Sequence, residues 1–306
     1  MAQRRITWQS KTILLVIVPS AAVYTLLQAH WWATQIPAVA IWTLGLSLLL
    51  AIIVLRLRAA TPAAAFTGFV ITSSLMFSTA VYPYQPWRTA LPVVMAVFVL
   101  AFVSTRIGRG RKERLGTAES RRGRSAAQVA ANLGFASLLA STFVQEWLID
   151  SHWFSPGGIA PIPVYGPVLA ALAEAAADTV SSEIGQALRG HPRMITNLRR
   201  AEPGTNGAIT VAGTLVGVVG AAIVAAVGSW TLAMDSSQPF WVSSTAQVFW
   251  VSFAGGTFGF LFDSLLGATI ERRGWLNNDA VNFLSTASAA AFALGILAIL
   301  PHGGVG

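Results

Sequence analysis

Five carboxylates stand inside stretches that are otherwise fit for lipid. Glu174, Asp178 and Glu183 fall in AEAAADTVSSEIG (173–185), Asp263 in GGTFGFLFDSLLGATIERR (255–273) and Asp279 in LNNDAVNFLS (276–285). A charge inside a membrane span costs at least a few kcal/mol and usually faces the protein interior or a wet cavity. Four of the five sit toward the basic ends of their stretches. Asp178 and Glu183 precede Arg189; at a rise of 1.5 Å per residue, Asp263 lies roughly 13 Å before Arg272 and Asp279 about 9 Å after Arg273. Carboxylates from three helices in one layer suit Mg²⁺, which prefers oxygen ligands and takes one or two carboxylates together with substrate phosphates. Asp178, Glu183, Asp263 and Asp279 are the expected metal ligands. Ser182, four residues after Asp178, and Asn282, three after Asp279, add neutral oxygens on the same helix faces. Glu174 is one turn deeper and has no assigned role. Acids neutralised by loop arginines, or hydrogen-bonded between helices, are the structural alternative.

The elements that must position these groups are membrane helices. Of the 306 residues 54% are hydrophobic and only 10% charged, against about 25% charged in soluble domains, and the mean hydropathy is +0.62. The expected architecture is an all-α polytopic bundle of about nine transmembrane helices. Apolar stretches near 20 residues fall at about 12–30, 36–55, 61–81, 88–105, 126–147, 164–188, 208–233, 245–270 and 279–300. MAQRRITWQSK leads into the first of them without the pattern of a cleaved signal peptide, so that stretch reads as an anchor.

Charge tests this count. With the N-terminus inside, every one of the 20 Lys and Arg except Arg88 falls on the inner side: Arg4, Arg5, Lys11, Arg56, Arg58, the 106–124 cluster, Arg189, Arg193, Arg199, Arg200, Arg272 and Arg273. Trp31, Trp32, Trp87, Trp147, Trp153, Trp230 and Trp241 collect at the outer ends as an aromatic belt. The chain therefore reads as N-in and C-out, in a bacterial cytoplasmic membrane. This topology accounts for the net charge of +8 without a nucleic-acid partner. The absence of cysteine excludes disulfides, thiolate nucleophiles and Cys-ligated metals, and the four histidines are scattered.

Two inner segments could hold anions. RIGRGRKERLGTAESRRGRS (106–125) is basic but has neither P-loop nor dinucleotide spacing; contact with anionic lipid alone would explain such a run. EPGTNGAIT (202–210) places Pro203-Gly204 and Asn206-Gly207 just before a helix, as a plain turn or as an anion site at a helix N-terminus. Gly255, Gly259 and Gly267 share a face with Asp263, and Gly213 and Gly217 form a second seam, so these helices are expected to pack closely.

RKERLGTAESRRGRSAAQVAANLG, AAADTVSSEIG, PRMITNLRRAEPGTNGAITVAGTLVG and GGTFGFLFDSLLGATIERRGWLNNDAVNFLS, in this order, resemble the membrane family that includes plant and cyanobacterial phytyl-phosphate kinases. That family was long labelled a domain of unknown function and includes a eukaryotic transmembrane protein. The resemblance runs from about Arg106 to Leu300, so the chain divides into N-terminal helices (1–105) and a family-like catalytic core (106–306). It implies transfer of a phosphoryl group from a nucleoside triphosphate, with CTP favoured, to a prenyl monophosphate such as phytyl or geranylgeranyl phosphate. The family's motif positions fall on Arg111, Lys112, Arg124, Asn132, Asp178, Thr179, Ser182, Glu183, Thr196, residues 203–207, Asp263, Ser264, Asn278, Asp279 and Asn282. Within that set, Asp178, Asp263 and Lys112 are the expected catalytic residues. Arg111, Lys112, Arg124, Arg199, Gly204, Thr205, Asn206, Gly207, Asn132, Ser182, Ser264 and Asn282 are the expected nucleotide and phosphate contacts. A lipid-alcohol kinase or other polyprenyl-phosphate transferase is one alternative. A secondary transporter or lipid-phosphate flippase is the other, since it too would use buried acids.

Overall fold

The computed structural model describes residues 7–150, 165–188, 190–232 and 244–299. Arg4, Arg5, Trp153, Arg189, Trp241 and most of the Pro- and Gly-rich stretch 156–167 lie outside the described residues. The described chain is helical: α1 (Thr7–Gln35), α2 (Pro37–Arg56), α3 (Pro62–Ser78), α4 (Leu91–Arg106), α5 (Arg109–Leu115), α6 (Ala126–Ala140), α7 (Thr142–Asp150), α8 (Tyr165–Ala187), α9 (Val211–Leu232), α10 (Thr245–Leu266) and α11 (Asn278–Ile299). A two-stranded antiparallel hairpin, β1 (Arg193–Met194) with β2 (Ala208–Ile209), sits between α8 and α9.

Local chemistry sets the helix starts. Thr61 accepts from the Ala64 amide just before Pro62, which opens α3 at a position where its missing N–H costs nothing. Ser125 and Gln128 form a reciprocal capping box at the head of α6. Thr210 and Asn277 accept from the amides of Gly213 and Ala280 at the starts of α9 and α11.

The alanine-rich α8 is the centre of the bundle, in contact with α4, α6, α9, α10 and α11. Its residues from Gly166 to Ala177 are all buried. The glycine seam on α10 allows this: a Cβ at Gly255 would stand 2.7 Å from Ala170 Cβ, and one at Gly259 would stand 2.6 Å from both Ala289 Cβ and Glu174 Cγ. The expected close packing around Asp263 is thus present.

Each of the nine expected stretches falls on a helix, but fewer have the length and composition of a span. α1, α2, α9, α10 with the turn that follows it, and α11 qualify, which makes five; the pairs α4–α5 and α6–α7, bent by 68° and 59°, raise the number to seven. α3 has only 17 residues, and the alanines of α8 are interrupted by Glu174, Asp178 and Glu183. The basic segment 106–125, expected as a loop, contains the short helix α5.

Candidate active site

A polar cavity of about 300 Å³ lies where the C-terminal half of α8, the end of α10, the first turns of α6 and α11 and the loop before α9 meet. From α8 come Asp178 and Ser182, one turn apart on one face, together with Glu183. The end of α10 contributes Asp263 and Ser264. Beyond it the helix widens into a single π turn, Gly267–Glu271, which brings Glu271 to the cavity wall; such turns frequently mark functional sites. The side chains of Asp178 and Asp263 face each other. Ser285 Oγ donates to Asp263 Oδ2 at 3.1 Å. Asn282 Nδ2 donates to Asn132 Oδ1 at 3.3 Å, joining α11 to α6 across the floor.

Arg124 supplies the cation. Its guanidinium donates to Thr179 Oγ1 at 3.3 Å, beside Asp178. The backbone holds it there: Arg124 N–H donates to the Ala59 carbonyl and Thr61 N–H to the Arg124 carbonyl, each at 3.0 Å. Gly123 makes this possible, with φ at +79° and the Ala59 carbonyl carbon 2.3 Å from where a Cβ would stand. The opposite wall is residues 203–207. Gly207, at φ +75°, lies against the π turn so tightly that a Cβ would stand 2.2 Å from the Ala268 nitrogen.

Thus Asp178, Glu183, Asp263, Ser182, Ser264, Asn132, Asn282, Arg124 and the Gly204, Thr205, Asn206 and Gly207 loop come together as expected from sequence. Four others do not. Asp279 is turned away: Asn278 and Asn282, four residues apart, line the cavity, and one residue on from Asn278 is about 100° round the helix. Its Oδ2 instead accepts from Ser10 Oγ of α1 at 2.5 Å. Lys112 lies outside the cavity with its ammonium donating to Glu183 and to the carbonyls of Ser104 and Thr105, so its three donors are used. Arg111 is half-buried outside the lining, and Arg199 is exposed on the hairpin and does not line the cavity. Sequence reading missed Gln128, Glu271 and Thr210, which also line it.

The expected four-carboxylate metal centre is not formed: among the described residues no three His, Asp or Glu side chains converge to hold a metal. Asp279 has left the layer and Glu183 is paired with Lys112. What remains is Asp178 and Asp263 with hydroxyl and amide oxygens nearby, two carboxylates and not a closed protein cage.

An integral membrane helix bundle with a two-aspartate polar cavity at its helix ends is the class of protein these features define. The sequence matches the integral membrane protein family DUF92 over residues 45–290, and the chain belongs to that family. This is the family that the motifs resemble. An uncharacterized membrane protein of Methanocaldococcus jannaschii is 33% identical over 196 residues, 64% of this chain and 71% of its own. One from Synechocystis is 27% identical over 254 residues, 79% of this chain and 86% of its own. The chloroplastic protein VTE6 of Arabidopsis thaliana is 26% identical over 206 residues, 66% of this chain and 56% of its own, so the match spans little more than half of that relative. No solved structure matches the chain.

Proposed function

We propose that the protein transfers the γ-phosphoryl group of a nucleoside triphosphate, with CTP favoured, to a prenyl monophosphate such as phytyl or geranylgeranyl phosphate. An oxygen of the prenyl phosphate attacks the γ-phosphorus, the bond from γ-phosphorus to the bridging oxygen breaks, and the electron pair leaves with the nucleoside diphosphate. The observation that carries this reading is Asp178 facing Asp263 in a cavity walled by Arg124 and the 203–207 loop. Phosphoryl transfer depends mainly on positioning and charge neutralisation. Mg²⁺ bound by Asp178 and Asp263 would neutralise charge on the transferred group. Arg124 would contact the acceptor phosphate, and the 203–207 loop the nucleotide phosphates. The acceptor is already an anionic oxygen, which needs no general base. No histidine lines the cavity among the described residues, in keeping with that chemistry.

In this reading nine crossings place the N-terminus and the cavity on the cytoplasmic face, where nucleotide is available. Distant similarity to VTE6 supports a membrane prenyl-phosphate kinase family. The test is purified protein in lipid nanodiscs with Mg²⁺, each of the four nucleoside triphosphates, and phytyl, geranylgeranyl and farnesyl monophosphates, with prenyl diphosphate as the readout. Folded protein that turns over no pair would sink the reading. The transporter alternative draws on Glu174, a carboxylate buried deeper in α8; flux across proteoliposomes without nucleotide would favour it.

A further inference from the structure

An apolar groove opens beside the polar cavity, between α2 and α4 and over α3. On α2, Ser47, Leu50 and Val54 recur three and four residues apart along one face, with Arg58 two residues past the helix end, and on α4 Phe98, Phe102 and Arg106 recur every four residues. Small residues of α3, Ala64, Ala65 and Gly68, make the floor. The walls are therefore apolar along the helices and basic at one end only. That end gathers Arg58, Arg106, Arg109, Arg121 and Arg124, with Glu119 the one acid of the lining and Arg109 also paired with Glu113. Arg106 is held to the wall, its guanidinium 3.5 Å from the Phe102 ring centroid and donating to the Leu57 carbonyl. Arg124, Asn132 and Thr179 line both this groove and the polar cavity, so the basic end opens onto the aspartates.

We propose that the groove is the acceptor-lipid site: it holds one prenyl chain, with the monophosphate head among Arg58, Arg106 and Arg109 and within reach of Arg124. The inference rests on the phosphotransfer reading for its ligand, and charge complementarity selects that ligand. A tail with one anionic head matches a groove that is apolar along its length and carries five arginines at its mouth. A groove one helix face wide accepts one chain, and a floor of Ala and Gly leaves room for methyl branches. Val94 and Thr105 both line its α4 wall, eleven residues or roughly 16 Å apart. A zigzag chain with C–C bonds of about 1.5 Å advances ~1.3 Å per bond, so about 12 carbons, or about three isoprene units, lie inside. The end of a longer chain projects into the bilayer.

The experiment uses the full chain in nanodiscs and a farnesyl monophosphate analogue with a diazirine at the tail end. Photolysis followed by peptide mapping is expected to place adducts on α2 and α4 near Ser47, Leu50 and Val94. Geranylgeranyl monophosphate should compete, and phosphatidate should not. Adducts elsewhere, or equal competition by phosphatidate, would overturn the proposal, the latter because it would mark a bilayer-lipid site. Gly68→Leu should block the groove and lower adduct yield at least ~10-fold with unchanged melting. Leu favours a helix interior over Gly, and a Cβ at Gly68 meets only Val129 Cγ1, at 4.0 Å. Gly45→Leu on α2, where nothing lies within 4 Å and outside the groove, should leave the yield unchanged. Labelling needs no turnover, so the two readings fail separately. Groove adducts without diphosphate from any nucleotide would keep the site and sink the kinase. Diphosphate formation with an unchanged KM for prenyl phosphate in Gly68→Leu, and no groove adducts, would do the reverse.

Discussion

Lys112 and Glu183, 71 residues apart, form an ion pair whose ammonium is fully buried. The other two donors of Lys112 go to the carbonyls of Ser104 and Thr105, at 3.1 and 2.8 Å. The pair fastens α5, and with it the basic segment, to the cytoplasmic-end turns of α8 in the proposed topology. Lys112 therefore orders the wall of the cavity and does not itself reach into it.

Removing one partner leaves the other buried without compensation. Lys112→Met is expected to destabilise the protein by about 3 kcal/mol, read as a lowered unfolding midpoint in detergent. Combining it with Glu183→Gln should recover part of that loss in a double-mutant cycle. An unchanged midpoint in the single variant would show the pair to be energetically idle.

The two facing aspartates and the one turned away make a contrast within a single charge class. Asp178→Asn and Asp263→Asn should each lower kcat by at least about 100-fold, roughly 2.7 kcal/mol of barrier, in protein that melts normally. Asp279→Asn should stay within about threefold, because its partner is Ser10. Equal losses in all three would mean that depth alone, and not the cavity, determines their importance.

Glu174 is 1% exposed, and neither of its carboxylate oxygens has a hydrogen-bond partner among the described residues. Replacing an unsatisfied buried polar group with an apolar side chain of similar size removes a desolvation cost of about 1–3 kcal/mol. Glu174→Met should accordingly raise the unfolding midpoint. A fall would mean that the carboxylate has a stabilising partner, such as a bound ion.

The chain has no cysteine, so single substitutions report topology on a clean background. Trp87 and Arg121 are exposed on either side of α4 in sequence. In the N-in reading, Trp87→Cys should react with an impermeant maleimide from outside intact cells and Arg121→Cys only after lysis. Labelling of both from one side would remove α4 from the set of crossings.

Helix existence and the packed glycine face were legible because both are local: a 20-residue apolar run and a four-residue repeat survive any tertiary arrangement. Asp178 with Ser182 was legible for the same reason, since i and i+4 always share a face. Asp279 was misplaced because its depth along α11 could be counted but the direction it faces could not. The partner that settles its direction, Ser10, is 269 residues away. Lys112 failed likewise, as a basic run gives no sign that one of its members is neutralised by a distant acid. The groove was invisible because apolar residues facing lipid and those lining a cavity read alike.

The floor of that groove is an apolar helix too short to qualify as a span by length. With 17 residues, α3 reaches about 25 Å, less than the ~30 Å hydrocarbon core that the proposed nine-span topology has it cross. A bilayer meets such a mismatch by thinning locally. Were α3 to cross as in the proposed topology, thinning would draw the two leaflets together beside the groove and shorten the distance a phosphate head must travel from the interface to the arginines. Membrane thickness thereby becomes part of the substrate's entry path.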